Sequence, residues 1–519
     1  MDRPNAGKTT VICIPIVAER MDDALADIRA AAAEPADCLE LRLDAFREPA
    51  DPAALLAATP LPCIVTCRPV REGGAWDGDE GERLTRLHRA AAAGARWVDV
   101  ERDAVERFDA PDGVQVIASH HDFTKTPDDL PGLVRTLEAL PCDIVKIAVR
   151  ANALEDNLRL WDAMRGAGKP IIGLCMGELG EASRVLALRQ GGLLTFGALA
   201  PGRESAPGQP TARDLAELYR VRAITPATRL YCVVGDPIAH SVSPEIHNAA
   251  FRALGMDAVY LRFRVDDLGR FLDAFAPLDL QGLSVTIPHK DAARRLARTV
   301  EPTADRLGAV NTLVRAPDGA WHGENTDWGG ALDAIRGAAE ADRVPLAGRR
   351  ALLVGAGGAG RGIAHALLAA GCRVVVANRT AAKAKALARE LDAEAVPLAD
   401  AVAVAQGDDC AVVANATSVG MHPDVDATPI PAEAFGPGMV AFDAVYNPRE
   451  TRMLREARAR GAAIADGVAM FVGQAARQFR LWTDREPPLD VMTAIVARRL
   501  AGEADATNAS EPNGRHDAD

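Results

Sequence analysis

A single lysine, Lys146, interrupts a run of residues, 143–149, that is otherwise an apolar strand. Burying an ammonium group is costly, and desolvation favours the free amine, which is the form that attacks a carbonyl carbon. Alternatively, Lys146 ends the strand with its head group in solvent. The neighbouring sequence favours chemistry, because the preceding apolar strand leads into Ser119-His120-His121-Asp122 and supplies a candidate base.

A lysine and a histidine on adjacent strands could together dehydrate a hydroxyketone. An imine between the lysine and the ketone acidifies the neighbouring carbon, the histidine removes a proton from that carbon, and loss of a β-hydroxyl completes the reaction. His120 and His121 follow each other on one strand, so only one of them can face the same side as Lys146. We favour His121 as the base.

A glycine-rich turn in the second half indicates a dinucleotide site. Gly355-Ala-Gly-Gly-Ala-Gly360 lies between a predicted strand, 351–354, and a predicted helix, 363–368. The next strand, 373–377, is followed by Asn378-Arg379-Thr380, where NAD-binding proteins usually place an acidic residue for the ribose. Arg379 suits a 2′-phosphate and favours NADP, although an arginine after a strand can also be a plain surface charge.

The elements that must position the lysine and histidine alternate between strand and helix. Amphipathic alanine-rich stretches, such as 81–95 and 154–166, separate eight short apolar runs, which predicts a (β/α)8 barrel. These runs are 11–16, 38–43, 63–67, 97–100, 114–118, 144–149, 170–175 and 193–199. Active sites of such barrels form at the C-terminal ends of the strands. Those ends carry Glu40, Arg42, Arg68, His121, Lys146 and Met176.

These patterns predict an α/β protein of several parts. We expect a barrel over residues 1–222, a linker at 223–229, a second βα series at 230–330, a Rossmann domain at 331–465, helices at 466–501 and a tail at 502–519. The tail is polar and nearly free of apolar residues, so its composition predicts disorder.

Composition excludes several classes of partner. The net charge of -13 argues against binding to nucleic acid or an acidic membrane, whereas a few local arginines could still hold a small anion. No apolar run reaches the ~18 residues of a membrane span, and the N-terminus lacks the pattern of a signal peptide. Nine scattered cysteines, without CxxC pairs or histidine clusters, predict reduced thiols, a cytoplasmic protein and no metal.

Motifs across residues 10–220 resemble type I 3-dehydroquinate dehydratases. They are Glu40-Leu-Arg42-Leu-Asp44, Thr66-Cys-Arg68, Glu72-Gly-Gly74, His121-Asp-Phe, Lys146-Ile, Ser183-Arg184, Thr195-Phe-Gly197 and Ser205-Ala-Pro-Gly-Gln209. The resemblance implies that Lys146 forms the imine and that His121, oriented by Glu72, is the general acid and base. It also implies that Arg184 pairs with the substrate carboxylate. The remaining implied substrate contacts are Glu40, Arg42 and Arg68 for hydroxyls, and Ser205 and Gln209 from a closing loop.

Motifs across residues 229–500 resemble shikimate dehydrogenases. They include Ser241-Val-Ser243-Pro, Ser284-Val-Thr286-Ile-Pro-His-Lys290, Gly308-Ala-Val-Asn311-Thr, Asn325-Thr-Asp327, Asn415-Ala-Thr-Ser-Val-Gly-Met421, Asp443-Ala-Val-Tyr446-Asn-Pro and Asp466-Gly467 with Gln474. Ser284 stands where single-domain members commonly have asparagine. At this position the chain is similar to the dehydratase–dehydrogenase fusions of plants. The resemblance implies that the C-terminal helices pack back on the substrate-binding domain, residues 230–330.

The same resemblance assigns roles to residues of the second half. Lys290 and Asp327 form the implied catalytic pair, with the lysine relaying a proton to the carbonyl oxygen as NADPH delivers hydride. The implied substrate contacts are Ser241, Ser243 and Tyr446 for the carboxylate, and Thr286, Asn311 and Gln474 for hydroxyls. The implied cofactor contacts are Gly355, Ala356, Gly357, Gly358, Ala359, Gly360, Asn378, Arg379, Thr380 and Gly467.

Together the two halves predict a bifunctional enzyme that acts on small molecules and leaves its oligomeric state open. The first half is expected to convert 3-dehydroquinate to 3-dehydroshikimate, and the second to reduce that product to shikimate with NADPH. One alternative is a catabolic enzyme that oxidises quinate or shikimate with NAD. Arg379 argues against it, because an arginine at this position favours NADP. Another is a ligand-sensing regulator, which should have lost catalytic residues such as Lys146 or Lys290 and gained a basic DNA-binding module.

Overall fold

The computed structural model of the chain describes residues 11–510, and side chains up to residue 501. Contacts divide the chain into two compact units. The first contains the chain up to Ala239 together with Asp257–Leu280, and the second contains His240–Met256 and the chain from Gln281 onward. The boundaries predicted at residues 222, 229, 330 and 465 mark changes of sequence pattern and stay predictions.

Eight parallel strands form a nearly closed barrel in the first unit, as the sequence predicts. They are β1 (Val11–Ile16), β2 (Cys38–Arg42), β3 (Cys63–Thr66), β4 (Trp97–Glu101), β5 (Gln115–Asp122), β6 (Ile144–Arg150), β7 (Ile171–Met176) and β8 (Leu194–Phe196). Neighbours in the sheet are neighbours in sequence, and β1 also pairs with β8. A single bridge between Ile171 and Gly192 joins β7 to the segment before β8.

Helices follow most of the barrel strands and cover the outside of the sheet. They are α1 (Met21–Ala31), α2 (Pro52–Ala57), α3 (Glu80–Ala92), α4 (Leu130–Glu138), α5 (Glu155–Arg165) and α6 (Glu181–Val185). The local sequence explains where helix α3 begins. The Asp79 carboxylate caps its N-terminus by accepting a hydrogen bond from the Glu82 N–H. Its residues Leu84, Leu87 and Ala91 recur on one buried face.

An apolar layer fills the barrel interior below the strand ends. Ile64, Ile117, Ile144 and Ile172 are among its members and are almost fully buried. Because side chains alternate along a strand, Ile144 and Lys146 point to the same interior side of β6. The apolar layer therefore forms the floor on which the polar residues of the strand ends rest.

The predicted linker, 223–229, is anchored to the barrel. The Arg189 guanidinium donates hydrogen bonds to the carbonyl oxygens of Thr225, Pro226 and Thr228, at 3.1, 2.7 and 2.8 Å. The Thr228 hydroxyl donates to Asp257 Oδ1 at 2.6 Å. One arginine thus orders the segment that leads out of the barrel.

A second βα series follows the linker. It contains β9 (Arg229–Gly235), α7 (Ser243–Ala253), β10 (Ala258–Arg264), α8 (Leu268–Ala274), β11 (Leu280–Val285), α9 (Lys290–Leu296), β12 (Thr299–Val300), α10 (Pro302–Leu307), β13 (Thr312–Arg315), β14 (Trp321–Glu324) and α11 (Asp327–Ala341). In the first unit β9 and β10 pair in parallel. In the second unit β13 pairs antiparallel with β11 and with β14, and β12 joins β14 in parallel.

The Rossmann prediction is confirmed. The elements are β15 (Arg350–Val354), α12 (Gly358–Ala369), β16 (Arg373–Asn378), α13 (Ala381–Glu390), β17 (Glu394–Pro397), α14 (Ala401–Ala405), β18 (Cys410–Asn415), β19 (Val440–Asp443), α15 (Arg452–Ala459) and β20 (Ala463–Ala465). The sheet is parallel, in the order β17-β16-β15-β18-β19-β20, with apolar clusters on both faces. The order reverses beside β15, which is where such sheets bind nucleotides.

Two C-terminal helices, α16 (Gly467–Thr483) and α17 (Leu489–Ser510), complete the second unit. Helix α16 packs so closely on α11 that a Cβ added at Gly330 would lie 2.5 Å from the Met470 carbonyl oxygen. Trp482 Nε1 donates to the Leu313 carbonyl oxygen of β13 at 3.0 Å. Helix α16 therefore contacts α11 and β13, and the packing of both C-terminal helices on a separate substrate domain stays a prediction.

The C-terminal tail, 502–519, was predicted to be disordered from its composition. Its first part continues helix α17 as far as Ser510, consistent with the alanines at 501, 504 and 506, which favour helix. Residues 511–519 lie outside the described residues. Among the helices that the structure describes, none has the length and apolar character needed to cross a membrane.

Candidate active sites

The first candidate site is a cavity at the C-terminal ends of the barrel strands. Eight of the residues predicted for this site line the cavity: Glu40, Arg42, Arg68, Glu72, His121, Lys146, Arg184 and Ser205. Gln209 contacts one of these lining residues, Ser205. Gln209 Oε1 accepts from the Ser205 backbone N–H at 2.8 Å and from the Ser205 hydroxyl at 3.1 Å. The fold thus gathers residues from β2, β5, β6, the segment after β3, helix α6 and the loop at 205–209 around one space.

Lys146 lies in this cavity between two carboxylates. Its Nζ is 2.8 Å from Asp99 Oδ2 and 3.2 Å from Glu40 Oε1, and it lies 4.5 Å from the centre of the Phe196 ring. The residue is only 4% exposed. Lys146 is therefore buried within the barrel, not solvent-exposed at a strand end, and its nitrogen is ion-paired.

Asp99 was missed by sequence reasoning. It lies on β4, is fully buried, and also pairs with Arg68 at 2.9 Å. Burial works against its ionisation, but Arg68 and Lys146 hold the pKa of the Asp99 carboxyl well below its usual range. The available signal was the alternation in Trp97-Val-Asp-Val-Glu101, which places two carboxylates on one face of a buried strand.

Arg68 is held in place by three partners. Its Nη1 donates to Glu101 Oε1 at 2.6 Å and to the Ser119 hydroxyl at 2.8 Å, while Nη2 pairs with Asp99. The buried Arg83 also pairs with Glu101, so a chain of charges runs from Lys146 to the outer wall of the barrel. Most of the hydrogen-bonding capacity of Arg68 serves this chain, and its contact with a substrate hydroxyl stays a prediction.

His121 and Glu72 form a pair beside Lys146. Glu72 Oε2 accepts from the His121 backbone N–H at 3.0 Å and lies 3.1 Å from Nδ1 of the ring. Burial lowers the pKa of His121 well below 6.5, and the cations Arg68 and Lys146 add to this effect. The ring is therefore neutral, and donation of Nδ1–H to Glu72 leaves Nε2 as a basic nitrogen.

Glu72 itself titrates near neutrality. Burial raises the pKa of its carboxyl to about 7, although Arg68 opposes the effect.

His120, the histidine next to His121 in sequence, lines a different surface pocket with Arg102 and Asp122. Of the two histidines, His121 is the one that lines the cavity with Lys146.

Arg184 is a buried cation in the same cavity. It lies on α6 and is 2% exposed, and within the described part of the chain it makes no hydrogen bond or ion pair. Burial lowers the pKa of its guanidinium to about 10, so it remains charged near neutral pH. A desolvated guanidinium of this kind is stabilised by a bidentate anion such as a carboxylate.

The second candidate site lies where two helices begin. Lys290 is the first residue of α9 and Asp327 the first of α11, and Lys290 Nζ lies 2.6 Å from Asp327 Oδ2. Asn311 Nδ2 donates to Asp327 Oδ1 at 2.8 Å, while Asn311 Oδ1 accepts from the Thr326 N–H at 2.8 Å. The asparagine therefore fixes the aspartate, and its contact with a substrate hydroxyl stays a prediction.

Gln478 is a second residue that sequence reasoning missed. Its Oε1 accepts from the Ser284 hydroxyl at 2.7 Å, and its Nε2 donates to the Thr312 hydroxyl at 2.9 Å and to the Asn311 carbonyl oxygen at 3.3 Å. It thus joins α16 to the strand ends beside Asn311. The available signal was its spacing of four from Gln474, which places both amides on one helix face.

The other predicted substrate residues surround this pair less directly. Gln474 packs on Gly330 of α11, one turn from Asp327, and Tyr446 stacks on Phe471 of α16 with ring centres 5.2 Å apart. Ser243 begins α7, and its backbone N–H lies 3.4 Å from the Ser241 hydroxyl. Thr286 follows β11 and is half-buried. Their roles in substrate binding stay predictions.

The glycine turn has the geometry of a dinucleotide site. Gly355 adopts a φ of +114°, and a Cβ at Gly360 would lie 2.4 Å from the Gly355 carbonyl oxygen, so both positions require glycine. A Cβ at Gly357 or Gly358 would meet no atom within 4 Å, which leaves open space before the N-terminus of α12. A pyrophosphate fits such a space, because the N-terminus of a helix presents backbone N–H groups to an anion.

The end of β16 is tied to the glycine turn. Asn378 Oδ1 accepts from the Ala356 N–H at 3.2 Å, and its Nδ2 donates to the Thr380 carbonyl oxygen at 3.0 Å. Arg379 between them is exposed, as a residue that meets a ribose phosphate must be. Gly467 begins α16 in a tight contact, since a Cβ there would lie 2.4 Å from the Val445 carbonyl oxygen. Its contact with a cofactor, like that of Ala359, stays a prediction.

Residues 11–510 show no cluster of three or more histidine, cysteine, aspartate or glutamate side chains arranged to hold a metal ion. All nine cysteines lie within this range, and each is a free thiol. Burial raises the pKa of the Cys63 and Cys67 thiols to about 12. Such thiols stay protonated and contribute to packing.

Four family models match successive parts of the chain. The model for type I 3-dehydroquinase matches residues 12–226, and the shikimate dehydrogenase substrate binding domain matches residues 233–313. The model for shikimate / quinate 5-dehydrogenase matches residues 338–449, and that for the shikimate 5'-dehydrogenase C-terminal domain matches residues 467–496.

Similar proteins include fused and single-function enzymes. A bifunctional 3-dehydroquinate dehydratase/shikimate dehydrogenase of Arabidopsis thaliana, described as chloroplastic, is 40% identical over 94% of this chain and 84% of its own length. An NADP(+) shikimate dehydrogenase of Methanosarcina mazei is 43% identical over 52% of this chain and 99% of its own. A solved structure of dehydroquinate dehydratase and shikimate dehydrogenase from S. pombe is 25% identical and covers 95% of this chain and 99% of its own, with a TM-score of 0.46.

Proposed function

The chain belongs to the family of bifunctional 3-dehydroquinate dehydratase/shikimate dehydrogenases, and we propose that Lys146 and Lys290 are the catalytic lysines of its two reactions. The protein is a lyase and an oxidoreductase of the shikimate pathway. The observation that carries the residue assignment is the pairing of each lysine with groups suited to its reaction. Lys146 shares a cavity with a neutral histidine and with an arginine that has no ion-pair partner among the described residues, and Lys290 contacts a carboxylate.

In the dehydratase reaction, Arg184 binds the substrate carboxylate and so directs the ketone towards Lys146. The lysine amine adds to the carbonyl carbon, and water leaves to give an iminium ion. Nε2 of His121 then takes a proton from the adjacent carbon, and the iminium accepts the electron pair. The same histidine returns the proton to the departing β-hydroxyl, and water releases the product from the lysine. The net change is loss of one water from 3-dehydroquinate.

The dehydratase rate should fall as the pH drops through about 7. Ionised Glu72 accepts Nδ1–H of His121 and keeps Nε2 basic, whereas protonated Glu72 no longer enforces that tautomer. The pKa of about 7 for Glu72 therefore sets the acid side of the profile, because neutral His121 does not titrate there. We expect Glu72→Gln to lower kcat about 10- to 100-fold and to remove the fall near pH 7. Dehydratase kcat measured from pH 5.5 to 8.5, with dehydrogenase kcat as the internal control, tests this, and an unchanged profile contradicts it.

In the dehydrogenase reaction, Lys290 stands as proton donor and Asp327 as its partner. Bound NADPH supplies hydride to the carbonyl carbon of 3-dehydroshikimate. The Lys290 ammonium group donates a proton to the carbonyl oxygen as negative charge develops there. Asp327, held by Asn311 and placed at a helix N-terminus, orients the lysine and stabilises its charge.

NADP(H) is the cofactor that the second site fits best. Arg379 follows β16 at the position where an acidic residue would favour NAD, and its guanidinium can pair with a 2′-phosphate. We expect Arg379→Ala to raise KM for NADP about 10- to 100-fold and to leave KM for NAD within about twofold. Steady-state kinetics of shikimate oxidation with each cofactor measure this. If Arg379→Ala keeps the parent's preference for NADP over NAD, the assignment of Arg379 is wrong. If the parent protein itself prefers NAD, a catabolic enzyme that oxidises quinate or shikimate is favoured.

One assay tests the bifunctional proposal as a whole. Purified protein supplied with 3-dehydroquinate and NADPH should consume NADPH and accumulate shikimate, with 3-dehydroshikimate as the only other product. Omission of NADPH should stop the reaction at 3-dehydroshikimate. A protein that makes neither product would instead favour a ligand-sensing role, although the catalytic residues that a decayed sensor should have lost are present.

The cytoplasmic location and the absence of a metal stay predictions. Nine free thiols support a reducing compartment, while the plant relative is described as chloroplastic. The expected partners are small molecules. Neither of the proposed mechanisms routes a step through a metal, since a lysine supplies the electrophilic or acidic function in both.

A further inference from the structure

Asp99 contacts Lys146 Nζ, the atom that reacts in the proposed dehydration. We propose that Asp99 is the fixed counter-ion of the Lys146 nitrogen and that it stabilises the cationic iminium intermediate of the dehydratase reaction. This inference rests on the proposed role of Lys146 as the imine-forming residue. Three features of the structure carry it: the contact geometry, the burial of the carboxylate and the way that it is held.

The geometry assigns Asp99 to the lysine and excludes it from the substrate. Asp99 Oδ2 lies 2.8 Å from Lys146 Nζ, closer than Glu40 Oε1 at 3.2 Å. Glu40 lines the cavity and can also meet a substrate hydroxyl, whereas Asp99 is 0% exposed and does not line the cavity. Asp99 must therefore act through the lysine nitrogen.

The burial of Asp99 is costly unless its charge is used. One carboxylate oxygen, Oδ2, receives both Lys146 and Arg68, while Oδ1 is buried and has no hydrogen-bond partner among the described residues. A residue that served only to bridge strands would have both oxygens satisfied, because an unpaired buried oxygen destabilises the fold. The arrangement instead concentrates negative charge at the lysine nitrogen.

Arg68 prevents the carboxylate from following the lysine. Its guanidinium is fixed by Glu101 and Ser119, and it holds Asp99 Oδ2 at 2.9 Å. A counter-ion fixed in a site of low dielectric needs no reorganisation when charge forms. Asp99 therefore presents the same charge to the nitrogen before and after the imine is made.

The charge on the lysine nitrogen returns during each turnover. The resting ammonium group passes a proton to Nε2 of His121, and the amine adds to the carbonyl carbon to give a carbinolamine. The carbinolamine hydroxyl takes that proton back and departs as water, which leaves an iminium nitrogen with four bonds and a positive charge. That iminium accepts the electron pair when His121 removes the neighbouring proton, and it must persist until then. A carboxylate at 2.8 Å favours the iminium over the neutral carbinolamine, so it raises the fraction of bound substrate from which His121 can remove a proton.

The test uses the full chain with Asp99→Asn, which keeps the shape and removes the charge. We expect dehydratase kcat to fall about 100-fold, since loss of one member of a buried pair is strongly unfavourable, with KM within about threefold because Asp99 does not meet the substrate. Borohydride added at saturating 3-dehydroquinate should leave less covalent adduct on Lys146, measured by intact mass and peptide mapping. Dehydrogenase activity of the same protein should be unchanged.

Asp156→Asn is the matched control. Asp156 is also a buried carboxylate of the barrel, where it accepts from the N–H groups of Asn152 and Ala153, and it lies outside the network of Lys146, Asp99 and Arg68. Normal adduct formation in this variant together with loss in Asp99→Asn supports the proposal. Equal losses in both variants, or a kcat of Asp99→Asn within threefold of the parent, would overturn it.

A third variant covers a failure of Asp99→Asn to fold. Asp99→Glu retains the charge at the expense of a longer side chain, so a role in charge predicts that it outperforms asparagine, whereas a role in packing predicts the reverse. Adduct formation and kcat within about tenfold of the parent support the counter-ion, and their absence in folded Asp99→Glu overturns it. If the parent protein forms no adduct on Lys146, the proposed function itself fails, which is a distinct result.

Discussion

Replacing Lys146 with methionine is expected to abolish dehydration of 3-dehydroquinate, by roughly 10⁴-fold or more in kcat, and to leave dehydrogenase activity intact. Methionine has the length of the lysine stem but cannot form an imine, so the covalent route is closed. Two buried carboxylates, Asp99 and Glu40, each lose one cationic partner, and we expect the barrel to be destabilised by about 3 kcal/mol as well. Production of 3-dehydroshikimate and thermal unfolding separate these two effects.

Lys125→Met is the matched control for Lys146. Lys125 is exposed just after β5, so its loss should change neither activity. Borohydride with 3-dehydroquinate should label the parent protein and Lys125→Met on Lys146 and should leave Lys146→Met unlabelled. An adduct on another lysine, or dehydration that survives in folded Lys146→Met, contradicts the assignment.

Replacing Lys290 with methionine is expected to lower kcat/KM for shikimate oxidation at least about 10³-fold while dehydration continues at the parent rate. The ammonium group is 2.6 Å from Asp327 and is the candidate donor to the carbonyl oxygen. Asp327→Asn should produce a smaller loss, about 10²-fold, since the lysine remains but is no longer oriented or charge-stabilised. Absorbance of NADPH during turnover measures both variants.

Arg295→Met supplies the control on the same helix. Arg295 lies at the surface of α9, where it pairs with Asp291, so its loss should leave both reactions unaffected. A mixture of Lys146→Met and Lys290→Met proteins should again convert 3-dehydroquinate to shikimate, because each protein retains one site. Failure of the mixture, with both single activities present, would mean that the intermediate does not pass through solution.

Several structural features could be predicted from the sequence because they depend on local patterns. The eight barrel strands were predicted within a few residues at each end, since short apolar runs bounded by turns are a strong signal. The largest difference is at β5, which continues to Asp122 and carries His121 on the strand itself. The turn at Gly355 was equally predictable, because its φ of +114° demands glycine.

The partners of the catalytic groups were not predictable in this way. Asp99 meets Lys146 across β5, two strands away, and Gln478 meets Asn311 from a helix 167 residues later in the chain. Such contacts depend on strand register and helix packing, which a one-dimensional pattern does not specify. The ionic chain from Lys146 through Asp99, Arg68 and Glu101 became visible only when the barrel closed.

The sequence by itself determined the two fold classes, the order of the elements and the identity of most candidate site residues, because periodicity and motif spacing are local properties. Tertiary structure alone decided the state of those residues. In the folded chain Lys146, which lies in an apolar run of the sequence, is paired with Asp99. Arg184 is buried without an ion-pair partner among the described residues, and burial lowers the pKa of His121 so that its ring is neutral. Charge and basicity depend on burial and on partners brought together through space, and these arise only from the folded chain.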